Sequence, residues 1–186
     1  MARRDMMHKK RSTNQSAHYR KRLQIAAEQK ERAESLKKVI KPEDMPYEDS
    51  LHGHLTHIMN EDLNARFYSV DAYIQELGPG AFSGKHRHVA EECVYILEGK
   101  GFDLHWDPEV ELSDRYHWSW PKEPKRFEWE KGDCIYIPPN TIHQHFNADD
   151  SNPARFISAT NRVYRHIGYG DIEQLENASD YKTNRK

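Results

Sequence analysis

The sequence predicts an all-β domain, a sandwich or barrel, joined to a helical arm at its N-terminal side. Three observations predict it. Short apolar runs of strand length recur from residue 65 onward, each closed by a Gly, Pro or Asn turn. No helix-length pattern alternates with those runs, so a parallel βαβ sheet is excluded. Ahead of them, residues 12–41 place their apolar residues at helical spacing.

In chain order, the arm comes first. Ser12 and Gln15 fit a capping box. Leu23, Ala26, Ala27, Ala33, Leu36 and Ile40 make a thin apolar stripe, and Pro42 and Pro46 end it. The stripe is too alanine-rich for a strong coiled coil. Residues 1–41 hold thirteen Lys/Arg and four Asp/Glu, a net +9. The whole chain has net charge −2, so the rest carries −11. A basic arm, residues 1–44, is thus attached to an acidic body, residues 45–175. Three readings of the arm stay open: a solvated helix packed on its own or a partner's barrel, a dimerisation arm, or a nucleic-acid contact. Lys9-Lys10-Arg11 and Arg20-Lys21-Arg22 motivate the third. No aromatic interleaving or groove-reading motif supports it, so nucleic acid is not an expected partner.

The strands follow. Phe67, Ser69, Asp71 and Tyr73 alternate with Tyr68, Val70, Ala72 and Ile74. Leu77-Gly-Pro-Gly80 reads as a turn. Cys93–Leu97 reads as a buried strand closed by Glu98-Gly-Lys-Gly101. Phe127–Glu130, Cys134–Ile137 and Arg155–Ala159 read as further strands. Residues 103–126 read as a long polar and aromatic insertion loop, either a lid or a subunit contact. Residues 176–186 read as a flexible tail.

Composition narrows the class. Hydrophobic residues make up 36% and charged residues 31%, with no run of eighteen apolar residues, so no membrane span is expected. The opening MARRDMMHKKR lacks the apolar segment of a secretory signal. Cys93 and Cys134 read as reduced thiols of a cytoplasmic protein.

The chemistry concentrates at two places. Side chains alternate across a strand, so His86 and His88 share a face. Glu91 and Glu92 are both available beside them; Glu92 has the parity of Val94 and Ile96 and is the better candidate for the inward position. Pro138-Pro-Asn-Thr-Ile-His143-Gln-His145 repeats the pattern of a turn followed by histidines at period two. His86, His88, Glu92 and His143 therefore form a candidate ligand set for one divalent metal. Imidazole suits Fe, Cu, Ni and Zn, and four protein ligands leave about two octahedral positions open. His8, His18, His52, His54 and His57 read as ordinary polar residues.

These motifs resemble those of the cupin family. Gly80, His86, His88, Glu92 and Gly99 meet its first motif, G-x5-H-x-H-x3-E-x6-G, without a gap. Gly132, Pro138, His143 and Asn147 meet the second, G-x5-P-x-G-x2-H-x3-N, with Asn140 in place of the internal glycine. Asn tolerates the left-handed backbone that turn needs. The resemblance implies a double-stranded β-helix (jelly-roll) barrel, a divalent metal on the four named residues, and a homodimer or higher homo-oligomer. Residues 125–147 are similar to gentisate-type ring-cleaving dioxygenases, a group that typically lacks the glutamate present here as Glu92. Three functions follow as expectations. The first is a mononuclear Fe(II) oxygenase acting on a small aromatic or enolic acid, with His145 and Asn147 orienting ligands or taking a proton. The second is a Mn, Zn or Ni lyase, isomerase or decarboxylase, and the third a non-catalytic small-molecule binder. Tyr95, Trp118, Trp129 and Tyr136 are candidate pocket aromatics, and Arg126, Arg155 and Arg165 candidate carboxylate anchors.

Overall fold

The structure, a computed structural model, describes residues 15–65, 69–170 and 172–182. Ser12, His8, Lys9-Lys10-Arg11 and the start of the alternation at Phe67 and Tyr68 lie outside the described residues. The chain divides into two compact units, residues 1–36 and 37–186.

The first unit contains helix α1, His18–Ser35. Its Leu, Ala, Gln, Glu, Lys and Arg content favours helix, and Gln24 donates a hydrogen bond to Glu28 one turn on, at 3.0 Å. The helix stops at Ser35 and not at residue 41. Leu36 is already extended, with ψ 148°, and the Lys37 N–H is taken by the Asn64 carbonyl at 3.0 Å in an isolated bridge to Ala65. Pro42 then opens a separate 3₁₀ turn, Pro42–Asp44, where its fixed φ is an advantage.

The second unit is built of antiparallel strands. β1 (Tyr47–Ser50), β2 (Gly53–Met59), β3 (Val70–Leu77), β12 (Ala154–Asn161), β5 (Glu92–Glu98) and β10 (Cys134–Ile137) form one sheet in that order. β13 (Ile172–Glu176), β4 (Lys85–His88), β11 (Ile142–Asn147), β6 (Lys100–Trp106) and β9 (Lys125–Glu130) form the second. A short hairpin of β7 (Glu109–Leu112) and β8 (Tyr116–Ser119) stands as its own two-stranded sheet. A single helical turn, α2 (Val163–His166), precedes β13. The all-β jelly-roll expectation holds. No helix among the described residues is long and apolar enough to cross a membrane.

Two readings are corrected. β5 is buried on one face and not throughout: Val94 and Ile96 are inside, Cys93 and Tyr95 outside. The stretch 103–126 is mostly strand. Asp103–Trp106 completes β6, the hairpin occupies the middle, and Lys125 begins β9. Of the stretch 176–186, Glu176 closes β13, and Ala178 is buried with its N–H on the Leu51 carbonyl at 2.8 Å.

The turns behave as their chemistry requires. Gly99 has φ +89°, and a Cβ there would meet the Ala154 Cβ at 2.8 Å, so both backbone and space demand glycine. Asn140 has φ +63°, the left-handed conformation expected of the residue standing in for glycine.

The interior is divided along the strands. Leu77, Val94, Ile96, Trp129, Ile137 and Phe156 form an apolar cluster. Burying each contributes roughly 1.5–3 kcal/mol. Beyond it the inward positions turn polar. Ile96 pairs with Phe156, but two residues along Val94 pairs with Ser158, and two further Glu92 pairs with Thr160. The metal-ligand candidates occupy this polar end.

Candidate metal centre

β11 lies between β4 and β6, with His143 opposite His86 on one side and His105 on the other. Strand alternation puts His88 on the same inner face as His86. β5 brings Glu92 from the other sheet. One potential ligand atom from each of His86, His88, Glu92 and His143 lies within 4.8 Å of the others, and all four residues are buried. This is the one such group among the described residues.

The imidazoles are oriented by the backbone. His88 Nδ1 bonds the Ala90 carbonyl at 2.7 Å, and His143 Nδ1 bonds the Thr141 carbonyl at 3.0 Å. His86 Nδ1 faces the Gly84 carbonyl at 3.4 Å. A carbonyl accepts, so each Nδ1 carries the proton and each Nε2 presents a lone pair. Those Nε2 atoms converge. His88 Nε2 is 2.9 Å and His143 Nε2 3.2 Å from Glu92 Oε2. His143 Nε2 is buried and has no hydrogen-bond partner among the described residues. A sealed lone pair with no donor, beside a carboxylate and two further imidazoles, fits a metal ion better than any protein partner in reach.

The charges agree. Burial pushes His86 well below the ordinary imidazole range, and lowers His143 despite the opposing pull of Glu92. Burial alone would raise Glu92, but contacts from His143 and His88 outweigh it and hold the carboxyl well below its usual range. Three neutral imidazoles and one carboxylate complement a dication. The other carboxylate oxygen, Oε1, accepts the hydroxyl of Ser158 from β12. We expect Ser158→Ala to weaken metal affinity by roughly 10–100-fold, the usual cost of losing a group that orients a ligand. Competition with a chromogenic chelator measures it.

Sequence reasoning missed the surroundings of this centre. Asp103 is fully buried. Its Oδ1 accepts from Trp129 Nε1 at 2.7 Å and His145 Nδ1 at 2.9 Å, and its Oδ2 faces His105 Nε2 at 3.4 Å. Burial opposes its charge, yet His145 and His105 bring the carboxyl down to about 2. His145 therefore keeps its Nδ1 on Asp103, leaving Nε2 buried without a hydrogen-bond partner among the described residues. His52, read as an ordinary polar residue, instead sets its ring edge against His86 at 4.2 Å between centroids. Its Nδ1 is likewise buried with no hydrogen-bond partner among the described residues.

Burial pushes His52 down to about 3. Its folded value lies below the ordinary 6.5, so as pH falls the unfolded chain takes up the proton first. Stability present above about pH 6.5 is then lost on the way down to about 3. Metal-free protein should lose on the order of 2 kcal/mol between pH 7 and pH 5 from this group alone. Denaturant titrations at the two pH values check it, and a His52→Gln variant should flatten the slope.

The remaining candidates lie elsewhere. Asn147 is committed to the turns at the apolar end, where its Nδ2 donates to Gly78 at 2.8 Å and Asn152 at 2.9 Å. Trp129 packs in the core on Asp103. Tyr95, Trp118 and Tyr136 are exposed. Arg126 covers the Phe102 ring, Arg155 pairs with Glu76 and Glu98, and Arg165 pairs with Glu61. None of the three arginines reaches the centre. Trp120, from the reinterpreted insertion, does support it. Its Nε1 donates to the Asn140 carbonyl at 3.0 Å, while Arg87 lies on its ring and bonds the Asn140 side chain at 2.6 Å. The turn leading to His143 is thereby clamped.

An antiparallel barrel with three imidazoles and one carboxylate converging inside it defines a protein with a site able to hold a metal ion. Residues 73–160 match the cupin domain family. This stretch, just under half of the chain, supports placing the protein with the cupin superfamily. It is 25% identical over 93 residues to an auxin-binding protein of Nicotiana tabacum, across 50% of this chain and 46% of that protein. It is 34% identical over 92 residues to an uncharacterized protein of Methanocaldococcus jannaschii, across 49% and 57%. The matched stretch thus spans about half the length of these curated relatives. Among solved structures, an oxalate decarboxylase variant of B. subtilis superposes with a TM-score of 0.56 at 16% identity, covering 75% of this chain and 33% of that one. Vicilin of Corylus avellana gives 0.54 at 17% identity, covering 75% and 36%. At these identities the likeness concerns the fold.

Proposed function

We propose that this cupin is a metal-dependent cytoplasmic enzyme, with one Fe(II) per chain, that oxygenates a small aromatic or enolic acid. The observation that supports the reading most is the four-residue ligand set, with one Glu92 carboxylate oxygen held by Ser158 and the other turned to the imidazoles. Ser158 holds one oxygen, and His88 and His143 lie against the other. With Glu92 kept as a ligand, about two positions of an octahedron would remain. Ring cleavage of a chelated phenolic acid needs a third, so an acid attached through one oxygen fits better. Iron bound there would activate dioxygen and polarise the substrate. The protein's part is to hold the imidazoles as Nε2 donors and to exclude water through the burial of every ligand. His145, its ring held by Asp103, would donate or accept a hydrogen bond at the substrate through Nε2.

A second reading drops the oxygen. Mn, Zn or Ni at the same residues suits a decarboxylase, lyase or isomerase, and the structural likeness to an oxalate decarboxylase favours keeping it. The likeness to auxin-binding proteins supports a third, a non-catalytic binder. An oxygen electrode separates them. Fe(II)-loaded protein offered dihydroxybenzoates and enolic acids should consume dioxygen with at least one. Turnover under strict anaerobiosis with Mn would replace the first reading with the second, and binding without turnover would install the third. We further propose a homodimer or larger homo-oligomer formed through the β7–β8 hairpin, whose Val110, Leu112 and Trp118 are exposed; light scattering on a Leu112→Asp variant tests it.

A further inference from the structure

Outside the metal centre, two sulfurs meet on the outer face of the barrel. On β5 the inward positions are Glu92, Val94 and Ile96, so Cys93 faces outward. On β10 Cys134 is likewise exposed. The register places Cys93 opposite Tyr136 and Cys134 opposite Tyr95. The two cysteines are therefore diagonal neighbours on one face, and their Sγ atoms stand 3.1 Å apart. Both are free thiols, and packing gives neither a role at this solvent-facing position.

We propose that Cys93 and Cys134 form a redox modification site, a dithiol that a peroxide converts reversibly into an intrachain disulfide. The separation must shrink by about 1 Å to reach bonding length. Diagonal strand neighbours sit wider than directly opposed ones, so the bridge draws the strands together, and its exposure leaves it open to attack by an external thiol. The chemistry balances. One thiolate attacks the peroxide, giving a sulfenic acid and releasing hydroxide, which the first thiol's proton converts to water. The second sulfur then attacks the sulfenic sulfur, expelling its oxygen as a second water. Two thiols and one hydrogen peroxide thus become one disulfide and two waters. The resolving sulfur is already in contact, so the first oxidation is the slow event.

Location gives the bridge a structural consequence. β10 lies at the edge of its sheet, and among the described strands it pairs with β5 only. The same ladder pairs Ile137 with Glu92, and β10 runs through the Asn140 turn towards His143. The bridge ties the edge strand down between two of the ligand-bearing elements.

The experiment uses the full chain as purified. Hydrogen peroxide at slight excess should remove both titratable thiols, with an intact mass lower by two hydrogens and no covalent dimer on a non-reducing gel. Dithiothreitol should restore both thiols. The oxidised form should melt about 5 °C or more above the reduced one. Phenylarsine oxide, which needs two thiols on one arsenic, should bind once per chain. Cys93→Ser and Cys134→Ser should each abolish that binding and gain oxygen on peroxide treatment. Both substitutions are at the surface, so circular dichroism should be unchanged. Thiols that persist, masses that rise by oxygen in the unsubstituted chain, or bridges between chains would overturn the proposal. These readouts need neither metal nor turnover, so the reading of the metal centre stands or falls separately.

Discussion

A His143→Ala variant is expected to retain less than about a tenth of an ion per chain after chelator treatment that leaves the unsubstituted protein loaded, the loss exceeding the 10–100-fold typical of removing a supporting group. The argument is geometric. His143 is fully buried, its Nδ1 is fixed on the Thr141 carbonyl, and its Nε2 has no hydrogen-bond partner among the described residues. Alanine removes the donor and opens a cavity that the clamped Asn140 turn cannot close. Elemental analysis by plasma mass spectrometry reads the result. Ion content equal to that of the unsubstituted chain would remove His143 from the ligand set.

The second large effect is expected at Asp103, and it concerns stability. The Asp103 carboxylate is the common acceptor for Trp129 Nε1 and His145 Nδ1, with His105 against its second oxygen. Asp103→Ala leaves those groups buried without an acceptor. Removing one member of a buried charged network costs about 3–5 kcal/mol. For a domain of this size that lowers Tm by roughly 10 °C or more. Trp129→Phe, which withdraws one donor and keeps the ring, should cost only about 1–2 kcal/mol. Thermal melts of the two variants side by side test the difference in scale.

The ligand set was legible because its signal is local. His86 and His88 share a strand face, Glu92 shares parity with Val94 and Ile96, and a second turn precedes His143. Alternation and spacing carry all of that without tertiary information. The acidic network was illegible for the opposite reason. In β6 the inward residues are Gly101, Asp103 and His105, while Phe102, Leu104 and Trp106 point to the outer side. The usual correspondence of apolar with inside is inverted, so the strand looked like an extended polar loop. Ser158 was within reach of sequence reasoning, since it shares parity with Phe156 in an assigned strand. His52 was not. It sits in the turn between β1 and β2, and its approach to His86 depends on how distant strands pack. The helix end was misplaced because proline marks where a helix cannot continue, whereas pairing of Lys37 with Ala65 ended it sooner.

The lengthwise partition of the barrel also bears on how such a protein can change. Phe156, Ile96 and Leu77 anchor the architecture at one pole, and the histidines gather at the other. Exchanges among His86, His88, Glu92 and His143 therefore leave the apolar pole itself untouched. The apolar pole would then keep the scaffold in place while the ligand set at the other end is varied.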